Sequence, residues 1–238
     1  MKKFVILLLL LPAWVSAQNR EIVEAASGED LTTKVSTQFQ YLFPDFTNGE
    51  VFYKGHNGSG KLNYNMLLGE MQFVENQQVL ALANVEDVIV VTINGRNFYP
   101  FKGGEFAEEL GSAGQVQLRV RYKGNAAQHS KKGAYGTSSS TSSITSYSSI
   151  SSDNRQYELT VTEKVLVTVN YFYYLVTSNG KYTLIQNVKA FTKLFPAYRN
   201  QIEAFAKEHK TRFNNGDDLK ALLKYCGELG NSSLVPEK

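Results

Sequence analysis

Residues 157–176, YELTVTEKVLVTVNYFYYLV, carry the strongest β-strand signal in the chain. The stretch is rich in Val, Thr, Tyr and Phe, the β-branched and aromatic residues that pleated sheets favour. In its second half aromatic residues occupy both alternating faces, with Tyr171 and Tyr173 on one face and Phe172 and Tyr174 on the other. Apolar residues on both faces are typical of a strand inside a sheet. The stretch therefore predicts a central strand that is covered on both sides.

Upstream, residues 50–123 divide into short β-prone segments, among them EVFYKG, EMQFV, VIVVTI and NFYPF. Such short, evenly spaced segments leave no room for helical crossovers and favour an antiparallel meander, a sandwich or a small barrel. Asn94–Gly95 and Asn179–Gly180 lie between strand-like runs and predict β-hairpins, because Asn-Gly suits two-residue hairpin turns. The remaining Asn-Gly pairs are interpreted as looser turns; they are Asn48–Gly49, Asn57–Gly58 and Asn215–Gly216.

From Asn187 onward the apolar residues recur at helical spacing. A first short stripe must end before Pro196, because proline disfavours helix at the preceding residue. A second stripe runs over residues 198–209, and Asn215 is placed to cap a third helix. The apolar face of that last helix holds Leu219, Leu222, Leu223 and Cys226. These amphipathic helices are expected to pack on the β portion, so the fold class is mainly β (α+β) with C-terminal helices.

The first seventeen residues, MKKFVILLLLLPAWVSA, have the order of a secretory signal peptide: a basic start, a short apolar run and small residues at the end. The apolar run is shorter than the roughly 20 residues of a spanning helix, so we expect a soluble exported protein with no transmembrane span after cleavage. Losing Lys2 and Lys3 from the 25 Lys and Arg leaves 23 basic against 22 acidic side chains, a net charge of about +1. A field this weak argues against nucleic acid as a partner.

A Ser/Thr-rich loop covers residues 137–152, in which ten residues are Ser and three are Thr. Disorder is one interpretation, because small hydroxyl-bearing side chains cannot offset the entropy of ordering by burial. The other interpretation is an ordered loop, because Ile144, Tyr147 and Ile150 recur every three residues and could hold the loop along a surface.

The sequence predicts five divisions of the chain. They are a signal peptide (1–17), an N-terminal segment for which mobility is one interpretation (18–35), the β portion with the loop as an insertion (36–186), the helices (187–230) and a tail (231–238).

The segment VQLRVRYK alternates strictly, with Val116, Leu118, Val120 and Tyr122 on one face. The other face carries a basic row of Arg119, Arg121 and Lys123, which is expected to be exposed. This row is either a solvated face that discourages edge-to-edge pairing or a docking strip for an anionic glycan or lipid headgroup. With Ile144, Tyr147 and Ile150 it forms the candidate interaction surface.

Other motifs point to no cofactor or metal. GHNGSGKL, residues 55–62, has the spacing of a phosphate loop but places Leu62 where magnesium binding requires Ser or Thr. The three histidines lie far apart in sequence, whereas zinc needs three or four converging ligands. Cys226 has no second cysteine to pair with and is expected in the core. Glu105, Glu108 and Glu109 would serve glycoside hydrolysis only if they flank a cleft.

Several stretches together resemble a family of secreted proteins of Bacteroidetes-type bacteria that has no assigned activity. They include YLFPDFTNGEVFYKG (41–55), KLNYNMLLGEMQFV (61–74), LALANVEDV (80–88), KKGAYG (131–136), LFPAYRNQIEAFAKEH (194–209) and DDLKALLKYC (217–226). The resemblance implies export to the periplasm or the exterior of a Gram-negative cell. We therefore expect a non-catalytic binding or scaffolding protein of the cell envelope, with an envelope protein or a glycan as partner. The alternative is a hydrolase acting on glycans whose acids converge only in three dimensions.

Overall fold

A computed structural model describes residues 20–25, 29–128, 131–132, 138–139, 147–149 and 163–232. The strands are β1 (Arg20–Ala25), β2 (Thr47–Tyr53), β3 (Asn57–Asn65), β4 (Glu70–Glu75), β5 (Gln78–Ala81), β6 (Val88–Ile93), β7 (Arg96–Pro100), β8 (Phe106–Ala113), β9 (Val116–Gln128), β10 (Lys131–Lys132), β11 (Ser138–Ser139), β12 (Tyr147–Ser149), β13 (Glu163–Thr177) and β14 (Tyr182–Leu184). The helices are α1 (Thr37–Gln40), α2 (Lys189–Leu194), α3 (Arg199–Glu208) and α4 (Gly216–Ser232).

One antiparallel sheet dominates the fold, with the strand order β1-β13-β9-β8-β7-β6-β2-β3-β4-β5. Outside this path, β14 pairs with β13 and β12 pairs with β9. Two meanders, β2 to β5 and β6 to β9, join where β2 pairs with β6. The mainly β prediction is therefore confirmed. Of its three forms the meander is found, because β1 and β5 remain separate ends of an open sheet.

The open sheet curls around its core until distant strands touch. The ring of Tyr64 on β3 packs against Tyr122 on β9, with ring centroids 5.5 Å apart. The turn after β3 also bonds to β9, because the Gly124 amide donates to the Leu67 carbonyl at 3.0 Å. A Cβ atom at position 124 would lie 2.6 Å from that same oxygen. Only glycine therefore permits this close approach of two backbones.

Strand β13 occupies the predicted central place, between β9 on one side and β1 with β14 on the other. One of its faces is buried in the core, as expected; its residues are Val165, Val167, Val169, Tyr173 and Leu175. The prediction of full cover on both sides is wrong for the remaining aromatics. Phe172 and Tyr174 are only half-buried, and Tyr171 is 37% exposed. This middle section of β13 therefore presents aromatic rings at the surface.

Two of the five Asn-Gly pairs form hairpins, as predicted. Asn94–Gly95 joins β6 to β7 with positive φ at both residues, 50° and 73°. Asn179–Gly180 lies in a longer loop, in which only Gly180 has a positive φ and the Thr177 amide donates to the Lys181 carbonyl. Asn48–Gly49 and Asn57–Gly58 lie inside β2 and β3 and are not turns, because pairing along both strands holds them extended.

The C-terminal helices begin and end where the sequence predicts. Helix α2 ends just before Pro196, and α4 begins at Gly216, where the Asn215 side chain accepts from the backbone amides of Asp217 and Asp218. Helix α4 packs against β8 and β9, and α3 packs against α4. Cys226 is fully buried on the inner face of α4, and burial raises the pKa of its thiol to about 12.

Residues outside the predicted β portion also join the sheet. Strand β1 comes from the N-terminal segment, and its register places Arg20 opposite Thr168 of β13. Strands β9 and β13, which flank the Ser/Thr-rich loop, pair with each other over thirteen residues. Within the loop, β11 pairs with β10 and β12 pairs with the end of β9.

Candidate functional site

The basic row of β9 is not an exposed strip. Arg119 is only 9% exposed, and the side chain of Arg121 is 16% exposed. Lys123 is half-buried. The alternation of side chains along β9 correctly predicts that these residues lie on the face opposite the core. The prediction of exposure is wrong because aromatic side chains from β7, β13 and β14 cover the two guanidinium groups.

Arg119 is enclosed by aromatic rings and neutral oxygens. Its guanidinium lies over the Tyr99 ring, 3.8 Å from the centroid. Its Nη1 donates to the Tyr182 hydroxyl at 2.7 Å, while Nε and Nη2 both donate to Gln117 Oε1 at 3.1 and 2.5 Å. Cation–π and hydrogen-bond contacts of this kind hold the planar group in one orientation.

Arg121, two residues along the same face, has a different environment. Its Nη1 donates to Glu105 Oε2 at 2.9 Å, and its guanidinium lies 5.0 and 5.2 Å from the ring centroids of Phe101 and Phe172. Phe101 in turn contacts Tyr174 and Tyr182. We call this surface the aromatic–arginine face; it comprises Tyr99, Phe101, Arg119, Arg121, Phe172, Tyr174 and Tyr182.

The rest of the predicted interaction surface consists of Ile144, Tyr147 and Ile150 in the Ser/Thr-rich loop. Ile144 and Ile150 lie outside the described residues. Tyr147 is the first residue of β12 and lies opposite Ala127 of β9. Of the three residues, Tyr147 alone lies in the described part of the chain, and it pairs with β9 beyond Lys123, the last residue of the basic row.

The middle of β13 borders a cleft that local sequence patterns did not indicate. It consists of two adjoining hollows of about 470 and 530 Å³, which share Tyr171, Phe172 and Asn214. We call it the β13 cleft. Its guanidinium and amide side chains come from four parts of the chain, namely β1, β13, the segment after β14 and the segment between α3 and α4; they are Arg20, Asn170, Gln186 and Asn214. The alternating aromatics of β13 were its only sequence signal.

A buried polar chain supports the aromatic wall of the cleft. The Tyr171 ring packs edge-on against Tyr122 with centroids 5.0 Å apart. The Tyr122 hydroxyl donates to Glu108 Oε2 at 2.5 Å, and Arg96 donates to both oxygens of the same carboxylate at 2.7 and 2.6 Å. Because this pairing is bidentate, it fixes the carboxylate and thereby the ring of Tyr122.

The same contacts determine how these groups titrate. Burial, and then the negative charge of Glu108, raises the pKa of Tyr122 well above its usual value. Burial raises the pKa of Tyr171 as well, with a smaller contribution from Glu108. Burial, the largest single influence, would lower the pKa of Arg96, but the hydrogen bonds and charge interactions with Glu108 and Tyr122 together outweigh it and the pKa is raised. The two phenols are therefore neutral and Arg96 is charged around neutral pH.

The three acids of residues 105–109 do not converge on a cleft. Glu105 pairs with Arg121, Glu108 is 3% exposed and pairs with Arg96, and Glu109 accepts a hydrogen bond from the Tyr99 hydroxyl at 3.1 Å. Glu108 and Glu109 are consecutive in β8, so their side chains point to opposite faces of the sheet. Each carboxylate thus serves a separate structural contact.

The remaining motifs sit in ordinary structural settings. The stretch GHNGSGKL lies in the β2–β3 hairpin, whereas a phosphate loop joins a strand to a helix. Within the described part of the chain, no group of three or more His, Cys, Asp or Glu is arranged to hold a metal ion. No helix in that part is long and apolar enough to cross a membrane.

Comparison of the chain with protein-family models, curated proteins and solved structures found no match. The aromatic–arginine face and the β13 cleft meet at Phe172, which contacts Arg121 and also lines both hollows.

Proposed function

We propose that this chain is an exported, non-catalytic binding protein of the Gram-negative cell envelope and that its ligand is a glycan held in the β13 cleft. The observation that carries the proposal is the composition of the cleft. Tyr171 and Phe172, on opposite faces of β13, supply aromatic surface, and three amide side chains and one guanidinium line the same two hollows.

Each of these groups matches a feature of a sugar. An aromatic ring packs on the apolar CH face of a pyranose, and an amide both donates to and accepts from hydroxyl groups. The two hollows also have the size of ordinary ligand sites, which occupy about 300–1,000 Å³. Because the contact of Tyr171 with Tyr122 is supported by Glu108, the aromatic wall is ordered before a ligand arrives.

The placement of acids supports binding rather than hydrolysis. No Asp, Glu or His lines the β13 cleft in the described part of the chain. Glycoside hydrolysis needs two carboxyl groups flanking the bond that breaks. Export rests on the signal-peptide pattern of residues 1–17 and on the resemblance described above.

The test is a screen of the mature protein on immobilised neutral and acidic oligosaccharides, followed by titration calorimetry of the best ligand. Asn170 and Asn214 are exposed, so the double variant Asn170→Ala/Asn214→Ala should fold normally and lose at least about tenfold in affinity, about 1.4 kcal/mol. Asn200→Ala, on the exposed face of α3, is the matched control and should bind as the unmodified protein does.

Two outcomes would contradict the proposal. One is that no oligosaccharide binds, or that the double variant binds as well as the control. The other is that mass spectrometry detects cleaved products after long incubation with the ligand, which would favour the hydrolase instead.

A further inference from the structure

Arg119 differs from the neighbouring arginines in having no carboxylate partner. Arg96 pairs with Glu108, and Arg121 pairs with Glu105. No carboxylate of the described residues forms an ion pair with Arg119, although the residue is only 9% exposed. Glu109 lies directly opposite it on β8, but its carboxylate accepts from Tyr99 instead.

A buried charge that no carboxylate contacts is costly. The Tyr99 ring offsets part of that cost, since a cation–π contact contributes roughly 0.5–2 kcal/mol. The hydrogen bonds to Gln117 and Tyr182 use three of the five N–H groups that a guanidinium carries, all of them on neutral oxygens. Two N–H groups therefore remain for an acceptor beyond the described residues.

Arg119 lines a second cleft, separate from the β13 cleft. This cleft has a volume of about 390 Å³ and lies between the tips of the β8–β9 and β13–β14 hairpins. Its rim carries hydroxyl and amide groups, from Ser112, Gln115, Thr177 and Ser178. The two tips are joined across the rim, because the Ser178 hydroxyl donates to Gln115 Oε1 at 3.1 Å.

We propose that this cleft binds an acidic sugar and that Arg119 binds its carboxylate. One unpaired positive charge with Glu109 nearby suits a monoanion better than a dianionic phosphate. The planar fork of a guanidinium matches the two oxygens of a carboxylate, and the polar rim suits the hydroxyl groups of the same sugar ring. The assignment of a sugar rests on the proposed glycan-binding function, whereas the assignment of a carboxylate rests on Arg119 alone.

The probe is trigalacturonate, with its fully methyl-esterified form as the matched ligand without charge. The unmodified protein should bind the acid at least tenfold more tightly than the ester. Arg119→Gln should abolish this preference, and Arg119→Lys should keep part of it because the charge remains without the fork. Arg199→Gln removes an exposed charge on α3 and should leave the preference unchanged.

A second measurement does not depend on whether the variants fold. Nitrogen-edited NMR of the unmodified protein follows the Arg119 Nε–H resonance, which D-galacturonate should shift and neutral D-galactose should not. If the glycan proposal fails but the carboxylate site is real, acetate at high concentration should still shift this resonance. The inference is overturned if acid and ester bind equally, if Arg199→Gln costs as much as Arg119→Gln, or if no carboxylate shifts the resonance.

Discussion

Replacing Glu108 with glutamine tests the buried polar chain behind the β13 cleft. The carboxylate is 3% exposed and accepts three short hydrogen bonds, two from Arg96 and one from Tyr122. Glutamine keeps the shape and one acceptor oxygen but removes the negative charge. Arg96 then remains charged without a carboxylate partner. One of its two hydrogen bonds is also lost, because the NH2 group of glutamine cannot accept a hydrogen bond.

The expected cost follows from the burial of the two partners. Breaking a fully buried ion pair costs about 3–5 kcal/mol, because the remaining charge is left without compensation. The Arg96 side chain is 36% exposed and can recover some hydration, which places the cost near the lower end, about 3 kcal/mol. In a domain of this size that corresponds to a drop of about 6–12 °C in Tm.

Urea unfolding followed by circular dichroism gives the free energy directly. Glu203→Gln, on the exposed face of α3, is the control and should change stability by no more than about 0.5 kcal/mol. Tyr122→Phe should cost about 1.5–3 kcal/mol, because it removes one hydrogen bond to a charged group. The costs of Glu108→Gln and Tyr122→Phe should not add in the double variant. A loss below about 1 kcal/mol for Glu108→Gln would refute the reasoning.

Three further predictions concern titration, close packing and thiol access. Burial raises the pKa of Tyr64 and Tyr122, so the stability that each of these two phenols contributes should be constant below about pH 10 and fall above it by about 1.4 kcal/mol per pH unit. In urea unfolding above about pH 10, Tyr122→Phe should therefore reduce the slope of the unmodified protein by about 1.4 kcal/mol per pH unit. Gly124→Ala should lower the free energy of unfolding by about 1–3 kcal/mol in thermal unfolding, because the new Cβ would meet the Leu67 carbonyl. Gly60→Ala is the control and should be nearly neutral, because the space around Gly60 is open. Equal effects of the two substitutions would contradict the packing argument. Cys226 should react with a thiol reagent only after unfolding, and rapid labelling of the folded protein would show that α4 is not packed.

Local patterns predict much of this fold because its strands pair mostly with their neighbours in sequence. The predicted strand segments of residues 50–123, the hairpin at Asn94–Gly95 and the cap at Asn215 depend on a few adjacent residues, and all are found. Strand β8 was not among the predicted segments. Asn48–Gly49 and Asn57–Gly58 were misassigned as turns because pairing with other strands overrides the preference of a dipeptide.

The surfaces could not be predicted in the same way. Alternation correctly places Arg119 opposite the core face, but its burial depends on Tyr99 and Tyr182, which lie on other strands. The β13 cleft requires Arg20 and Asn214 to meet at the middle of β13, and no spacing in the sequence links them. Such contacts depend on how the sheet curls, which a local pattern does not record.

The pairing of β1 with β13 determines when the protein can finish folding. Strand β1 comes before every other described strand in the chain, yet its only described partner follows most of them. Closing so long a loop is slow, because its entropic cost comes before any contact is gained. A chain emerging from a ribosome therefore holds β1 unpaired until residues 163–168 arrive. During that interval the edge of β1 is exposed to other chains, and a helper protein that covers it would have its greatest effect.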